Sequence, residues 1–351
     1  MSDVNIKLVA KLAGVSISTV SNVLNNARYV SDKTRERVLS VVKTLNYEPN
    51  CIAQSMKSNK TRTIGIIIPN IDRIFFSHVI TGMQEIADKS GYSLLLYNTG
   101  DKFEKETECV RILTRNKVDG IILDSVADSR NVAYFEGLSS LTSGKKHIPV
   151  ISMERDMTKY GVDSVFVENY KGGMLATQKL IDSGARQIVF ITTGSEMVRR
   201  RFDGYLEVLK RNGIPFDENL VVEREHSPWS GYNCIHRLLM GGISFDGVFA
   251  SNDQMAIGAL KALDEHNLRV PEDVCVIGFD NIFASSIVSP SLTAINVPKY
   301  RLGKQTFELL LKNIEKNTKN DSAAAIELPV TLVERESTWP KRKMPWELED
   351  W

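Results

Sequence analysis

Apolar residues recur at helical spacing near the N-terminus and then in short strand-length runs along the rest of the chain. Over residues 7–13, Leu8, Val9 and Leu12 can share one helix face. Gly14 ends that helix, because glycine readily takes the left-handed conformation found at helix ends. Ser16 fits the N-cap of a second helix over 17–25, in which Val20, Val23 and Leu24 face a core. Ile17, Ser18, Ser21 and Asn22 are left on its outer face. A third helix over about 31–45, opened by Ser31 as a cap, brings Val38, Leu39, Val42 and Leu45 to the same core. Two short helices joined by a tight glycine turn predict a helix-turn-helix, whose second helix enters the DNA major groove.

From Ile64 onward, short apolar runs alternate with amphipathic stretches of helical length. Strands are predicted at 64–68, 93–98, 120–123, 150–152, 165–167, 187–192, 247–251 and 274–279. Helices are predicted to start near Phe75, Glu104, Tyr170, Met197, Gly231, Asp253 and Pro298. Such alternation gives parallel sheets wound on both faces, and about 280 residues is too long for one such sheet, so two α/β lobes are expected. Facing lobes leave a cleft at the C-terminal ends of their strands. Polar residues stand where those ends should be: Asn70, Asp72 and Arg73, then Asp124, Glu154 and Arg155, Asn252 and Asp253, and Asp280 and Asn281. Asp253 by itself reads as a helix cap, but the repeated placement suits a ligand with many hydroxyl groups.

Composition adds an asymmetry. The 351 residues are 42% hydrophobic and 25% charged, a globular composition sufficient for two or three domains. The net charge of +1 hides a head of +5 over residues 1–60 and a remainder of −4. A basic head on an acidic body suggests a polyanion as partner of the head. Cys51, Cys109, Cys234 and Cys275 have no C-x-x-C spacing, and the five histidines show no metal-ligand spacing. No signal segment or membrane-length apolar run is evident, so a soluble cytoplasmic protein is expected. No nucleophile elbow, P-loop, dinucleotide fingerprint or H-E-x-x-H is present, so neither an enzyme nor a cofactor is expected. A transport-type sugar-binding protein would fit the body alone, but the attached DNA-binding head argues against it.

The stretch IKLVAKLAGVSISTVSNVLNN, followed by VSDKTRERVLSVVKTLNYEPN, resembles the head of the LacI/GalR family of bacterial repressors. ASNDQMAIGAL, RVPEDVCVIGFDN and RRRFDGYLEVLKRNGIP extend the resemblance into the body, with fewer identities. It implies that Ile17, Ser18 and Asn22 read bases, while Ser16, Thr19 and Ser21 hold phosphates or cap the helix. Many relatives carry arginine at the position of Asn22. The segment NCIAQSMK at 50–57 resembles the family's hinge helix, which orders on DNA and pairs with its twin in the minor groove. Met56 there replaces the usual leucine wedge, Ala53 permits close approach, and Cys51 departs from the pattern.

For the body the resemblance implies an effector site of Arg201, Asp124, Glu154, Asn252 and Asp280, with Phe75, Phe76 and His226 as aromatic positions. Val297 stands where relatives often hold a polar residue, and Trp229 is an alternative to His226 as a ring platform. Arg199, Arg200 and Arg201 in a row raise the option of an acidic sugar or sugar phosphate, against the plainer view that the first two face solvent. The expected fold is an all-α helix-turn-helix head plus an α/β body of two doubly wound parallel-sheet lobes resembling periplasmic sugar-binding proteins. Expected boundaries are a DNA-binding domain at 1–49, a hinge and linker at 50–62, and an effector-binding and dimerisation domain at 63–340. Within the last, an N-lobe spans 63–160 plus 292–320 and a C-lobe 161–291 plus 321–340, with a tail of unassigned role at 341–351. The implied function is a homodimeric repressor of a carbohydrate-utilisation operon, reading near-palindromic operator DNA under control of a small sugar-type effector. A global carbon regulator using a corepressor is the alternative.

Overall fold

The computed structural model describes residues 5–25, 29–47, 60–144, 146–316 and 322–338. Cys51, Ala53 and Met56 of the expected hinge, and the tail at 341–351, lie outside the described residues. The chain divides into two compact units, Met1–Arg62 and Thr63–Trp351.

The first unit is helical. Helix Ile6–Ala13 starts one residue before the predicted onset, because the Asn5 side chain accepts hydrogen bonds from the backbone N–H groups of Lys7 and Leu8, both at 3.1 Å. It ends at Gly14 with φ 62°, the left-handed conformation that glycine adopts without penalty. Helix Ile17–Asn25 follows, with the Thr19 N–H donating to Ser16 Oγ at 3.1 Å. The third helix is Asp32–Thr44; Ser31 sits at its N-cap, but its hydroxyl pairs with that of Thr34 at 3.0 Å instead of taking a backbone N–H. Val9, Ala10, Ala13, Val20, Val23 and Val38 form the core. Two residues expected in it are outside: Leu12 is 56% exposed and Leu39 46%. The inward stripes are Ile6, Val9, Ala10 and Ala13 on one helix and Val38, Val41, Val42 and Leu45 on the other, and both leucines fall beside them.

The second unit holds two six-stranded sheets. In chain order the strands are β1 (Thr63–Ile68), β2 (Ser93–Asn98), β3 (Gly120–Leu123), the short pair β4 (Thr142–Ser143) and β5 (Lys146–His147), β6 (Val150–Met153), β7 (Asp163–Val167), β8 (Ile188–Thr192), β9 (Val221–Glu223), β10 (Gly247–Ala250), β11 (Cys275–Asp280), β12 (Thr293–Asn296), β13 (Ala325–Leu328) and β14 (Thr331–Val333). The first sheet runs β13-β7-β6-β3-β1-β2 and the second β14-β12-β11-β10-β8-β9. All pairings in them are parallel except that of β12 with β14. Strands β1, β3, β6, β10 and β11 are buried along almost their whole length, as sheets covered on both faces require.

The pairing register moves the expected lobe boundaries. β7 continues the first sheet by pairing Ile151 with Asp163, so the chain leaves that lobe after Val167 and not at 160. β12 pairs with β11 through Ile277 and Thr293, which puts residues 293–296 in the second lobe. β13 returns to the first sheet beside β7, and β14 goes back to the second. The chain therefore crosses between lobes after β7, after β12 and after β13.

Helices Phe75–Ser90 and Lys299–Lys316 pack at glycines. A Cβ at Gly303 would sit 1.9 Å from the Val79 carbonyl oxygen, and one at Gly82 would sit 2.1 Å from that of Tyr300. Both contacts are to backbone, which no rotamer change relieves. Gly303→Ala is expected to destabilise the protein by about 1–3 kcal/mol, visible as a lower urea midpoint with an unchanged slope. Among the described residues no single helix is long and apolar enough to cross a membrane.

Candidate functional site

Two groups of residues carry the sequence expectations. In the first unit, Ser16, Ile17 and Ser18 are exposed, Ile17 at 44%. Thr19, Ser21 and Asn22 are half-buried. The Ser16 hydroxyl bonds those of Ser18 at 2.7 Å and Thr19 at 2.8 Å, which fixes a cluster of hydroxyls at the start of the second helix. Hydroxyls and N–H groups at a helix N-terminus suit phosphate oxygens, because the orphan donors and the helix dipole both favour an anion.

In the second unit, the strand ends of both sheets converge. Asp124 follows β3, and Glu154 and Arg155 follow β6, all from the first lobe. Arg201 lies on helix Glu196–Arg211, Asn252 follows β10, and Asp280 ends β11, all from the second. All of them are buried. Charges interact across the gap: Glu154 of the first lobe with Arg201 and Asp280 of the second, and Arg73 of the first with Asp280 and His226 of the second.

Arg201 is fixed from behind. Its Nε–H donates to Asn169 Oδ1 at 2.8 Å, its Nη1 donates to the Ser251 carbonyl at 2.5 Å, and the guanidinium carbon lies 3.6 Å from the centre of the Phe279 ring. Asp280 Oδ1 stands 3.9 Å from Nη1. Lys299 is buried and donates through Nζ to the carbonyls of Asp280 at 2.6 Å and Asn281 at 2.9 Å. That anchors a turn in which Asp280 has φ 106° and Asn281 φ 55°. Glu154 has φ 67°, so two of the three cleft acids, Glu154 and Asp280, sit in backbone conformations that L-residues rarely adopt. On the first lobe the Glu106 carboxylate accepts from Ser125 Oγ and the Val126 N–H, both at 2.6 Å, and from the Tyr134 hydroxyl at 2.8 Å. It holds the loop that follows Asp124.

Several buried polar atoms at the cleft have no hydrogen-bond partner: the acceptors Asp124 Oδ1 and Glu154 Oε1, and the donors Arg73 Nε, Arg155 Nε and Asn252 Nδ2. An unpaired buried polar atom costs about 1–3 kcal/mol, so together they mark a surface built to be completed by a ligand. Asn252 serves twice, since its Oδ1 caps the next helix by accepting the Met255 N–H at 2.9 Å. The cap is therefore Asn252 and not Asp253, whose buried Oδ2 accepts from the Ile282 N–H and the Ser285 hydroxyl, both at 2.7 Å.

Burial pushes Asp124 up to about 7 and Glu154 up to about 8, the latter also through repulsion from Asp124. Burial raises Asp280 to about 6, although Arg201 opposes the rise. His226 falls to about 3 through burial and the nearby Arg73 and Arg201, so it stays neutral. A carboxyl that keeps its proton to higher pH in the fold than in the unfolded chain stabilises below its unfolded value. That contribution is lost as pH rises through the folded value. His226 has the opposite slope, costing stability as pH falls from 6.5 toward 3. Above pH 6.5 only the acids act, so the melting temperature of the ligand-free protein is expected to fall toward pH 8.5, and to fall less in Glu154→Gln.

The other expected site residues distribute unevenly. Phe75 and Phe76 are buried with ring centroids 5.3 Å apart at 79°, and they belong to the core behind the first-lobe wall. Val297 is fully buried in the same core. Trp229 is 68% exposed and stacks on Tyr232 with ring centroids 5.3 Å apart. His226 is close enough to Arg73 and Arg201 for both to lower its pKa. Arg199 and Arg200 are exposed while Arg201 is buried, so the row of arginines does not converge on one ligand. Asn169, Lys299 and Glu106 were absent from the sequence-based set. Each acts by a contact distant in sequence, which composition and spacing do not register.

Residues 5–50 match the family model described as bacterial regulatory proteins, lacI family. Residues 177–338 match that described as a periplasmic binding protein-like domain. The chain is 36% identical to the HTH-type transcriptional repressor PurR of Pasteurella multocida (strain Pm70) over 337 residues, 95% of this chain and 98% of the relative. It superposes on the Lac repressor dimer bound to operator and the anti-inducer ONPF with a TM-score of 0.85 and 29% identity, covering 95% of this chain and 99% of that one. A complex of the transcriptional regulator CelR with cellobiose gives a TM-score of 0.70 at 29% identity, covering 95% and 99%.

Proposed function

The chain belongs to the lacI family of bacterial regulatory proteins and is a DNA-binding transcriptional repressor; from that premise we propose that its operator affinity is set by a small polyhydroxylated ligand held between the two lobes. One observation carries this: Asp124 and Glu154 of one lobe face Arg201, Asn252 and Asp280 of the other, with buried acceptors and donors left unpartnered. A ligand with several hydroxyl groups can donate to the two acids and accept from the asparagine in one pose. The complex of the structurally similar regulator CelR with cellobiose supports the ligand class.

A dimer in which each head reads half of a near-palindromic operator is the assembly this function needs. The dimer named in the Lac repressor structure supports it. Ile17, Ser18 and Asn22 are assigned to base edges, Ser16, Thr19 and Ser21 to phosphates and the helix start, and Ala53 and Met56 to the minor groove. Expression control of a carbohydrate operon follows if the ligand is a sugar. A ligand that tightens DNA binding and one that releases it obey the same linkage, because each needs only a difference in affinity between two states.

The test is a thermal-shift screen of sugars, sugar acids and sugar phosphates. At one hundred times its dissociation constant a true ligand should add about 2.7 kcal/mol to native stability. The same compound should change operator affinity in an electrophoretic shift. A compound that stabilises the protein and leaves operator binding unchanged would contradict the coupling, and the sign of the change separates release from corepression.

A further inference from the structure

We propose that Lys299 is a positioning residue for the repressor's switch: its buried ammonium pins the turn that carries the cleft acid Asp280, in one lobe, to a helix of the other, and so sets the angle between the lobes. The inference goes beyond the proposed function and holds whichever ligand the cleft takes.

Lys299 sits where a lysine is disfavoured twice. It is 3% exposed, and burying a charge is costly unless it is fully bonded. It is also the first residue of the helix Lys299–Lys316, at the end where the helix dipole repels a cation. Three acceptors offset that cost. The Nζ donates to the carbonyls of Asp280 at 2.6 Å, Asn281 at 2.9 Å and Val297 at 3.3 Å, one for each of its three N–H groups.

The ammonium and its acceptors belong to different lobes. The chain crosses from the second lobe to the first between Asn296, the end of β12, and Lys299, and Val297 lies in the crossing itself. The helix that Lys299 opens is fixed to the first lobe, since Gly303 and Gly82 bring its backbone against that of the helix Phe75–Ser90. The Asp280–Asn281 turn is fixed to the second lobe. Asn281 Nδ2 donates to Asn296 Oδ1 at 3.2 Å, and Arg335 Nη2 donates to Asn281 Oδ1 at 2.7 Å. The next N–H, that of Ile282, donates to Asp253 Oδ2 at 2.7 Å. With both sides held, rotating one lobe against the other strains or breaks the bonds of the ammonium. A ligand that touches the Asp280 carboxylate pulls on the same turn, so cleft occupancy and lobe angle meet at Lys299.

The experiment records the spread of distances between the lobes of the full-length protein, without ligand, by double electron–electron resonance. Spin labels on a ketone-bearing unnatural residue replace the exposed Arg115 of the first lobe and Lys210 of the second in one version, and Glu136 and Asp264 in another. Labelled chain is diluted with unlabelled chain, so that only distances within one chain are read. Lys299→Met keeps the apolar stem and loses the three donors. In it the distribution of at least one pair should become twice as wide or more. Gln254→Ala removes a second side-chain hydrogen bond between the lobes, from Nε2 to the Asp72 carbonyl at 3.3 Å, and should leave both distributions as they are. Lys299→Gln, a neutral side chain with two donors, carries the same expectation as Lys299→Met if the methionine variant fails to fold. Recording well below the melting transition separates lobe angle from stability, which a purely structural lysine would lower without widening either distribution. Distributions unchanged in a folded Lys299 variant, or widened as much by Gln254→Ala, would overturn the assignment.

Discussion

Arg201→Ala protein is expected to bind operator as the unaltered chain does when no ligand is present, and to lose ligand binding by a hundredfold or more. The guanidinium is a buried cation among Glu154, Asp253 and Asp280, and it is held in place by Asn169, the Ser251 carbonyl and the face of Phe279. Removing it takes away the group that orients a ligand between lobes and leaves buried acids uncompensated. Breaking one side of a buried charge pair costs about 3–5 kcal/mol. The acids can soften that loss by taking up protons, so the destabilisation should be smaller at pH 6 than at pH 8. Arg201→Lys separates charge from geometry: it keeps a cation but loses the fork that spans Asn169 and Ser251. Ligand titration and thermal melts at both pH values check this. A Lys variant that binds ligand as tightly as the native chain would mean that only the charge matters.

The second large effect concerns Asn22 on the helix Ile17–Asn25. Asparagine pairs bidentately with adenine and arginine with guanine, and each such pair discriminates by about 1–3 kcal/mol. Asn22→Arg is therefore expected to move the preferred base from adenine to guanine at one position of each half-site. In a two-fold operator the change acts twice, so the switch in preference between symmetric sites should exceed a hundredfold. Binding to operators varied at every position is the measurement. Asn22 is half-buried beside the more exposed Ile17 and Ser18, so a variant that merely weakens all sites equally would place Asn22 in the helix packing and not at a base.

Much of this molecule was legible in the pattern of its residues, for a physical reason. Strands such as Gly120–Leu123 and Gly247–Ala250 are buried on both faces, so they read as unbroken apolar runs. Four strands of the two large sheets escaped notice. Val221–Glu223, Ala325–Leu328 and Thr331–Val333 lie at sheet margins, short and partly exposed, whereas Thr293–Asn296 lies inside its sheet and is buried, but it is only four residues long and begins and ends on a polar residue. Missing them also misplaced the lobe boundaries, because the crossing points are set by which strand pairs with which. The cleft acids were legible because sheet ends collect polar residues. What held them was not: Lys299, Asn169 and Glu106 act on residues 19, 32 and up to 28 positions away.

The most direct test of the proposed coupling is reciprocity between the two units. Once a cleft ligand is identified, its dissociation constant is measured with and without saturating operator duplex, and the operator's with and without saturating ligand. Linkage between the cleft and the reading head requires the two ratios to be equal, with a factor between about 5 and 150 if the coupling is typical. A ligand that binds the cleft with the same affinity whether or not operator is bound would contradict it.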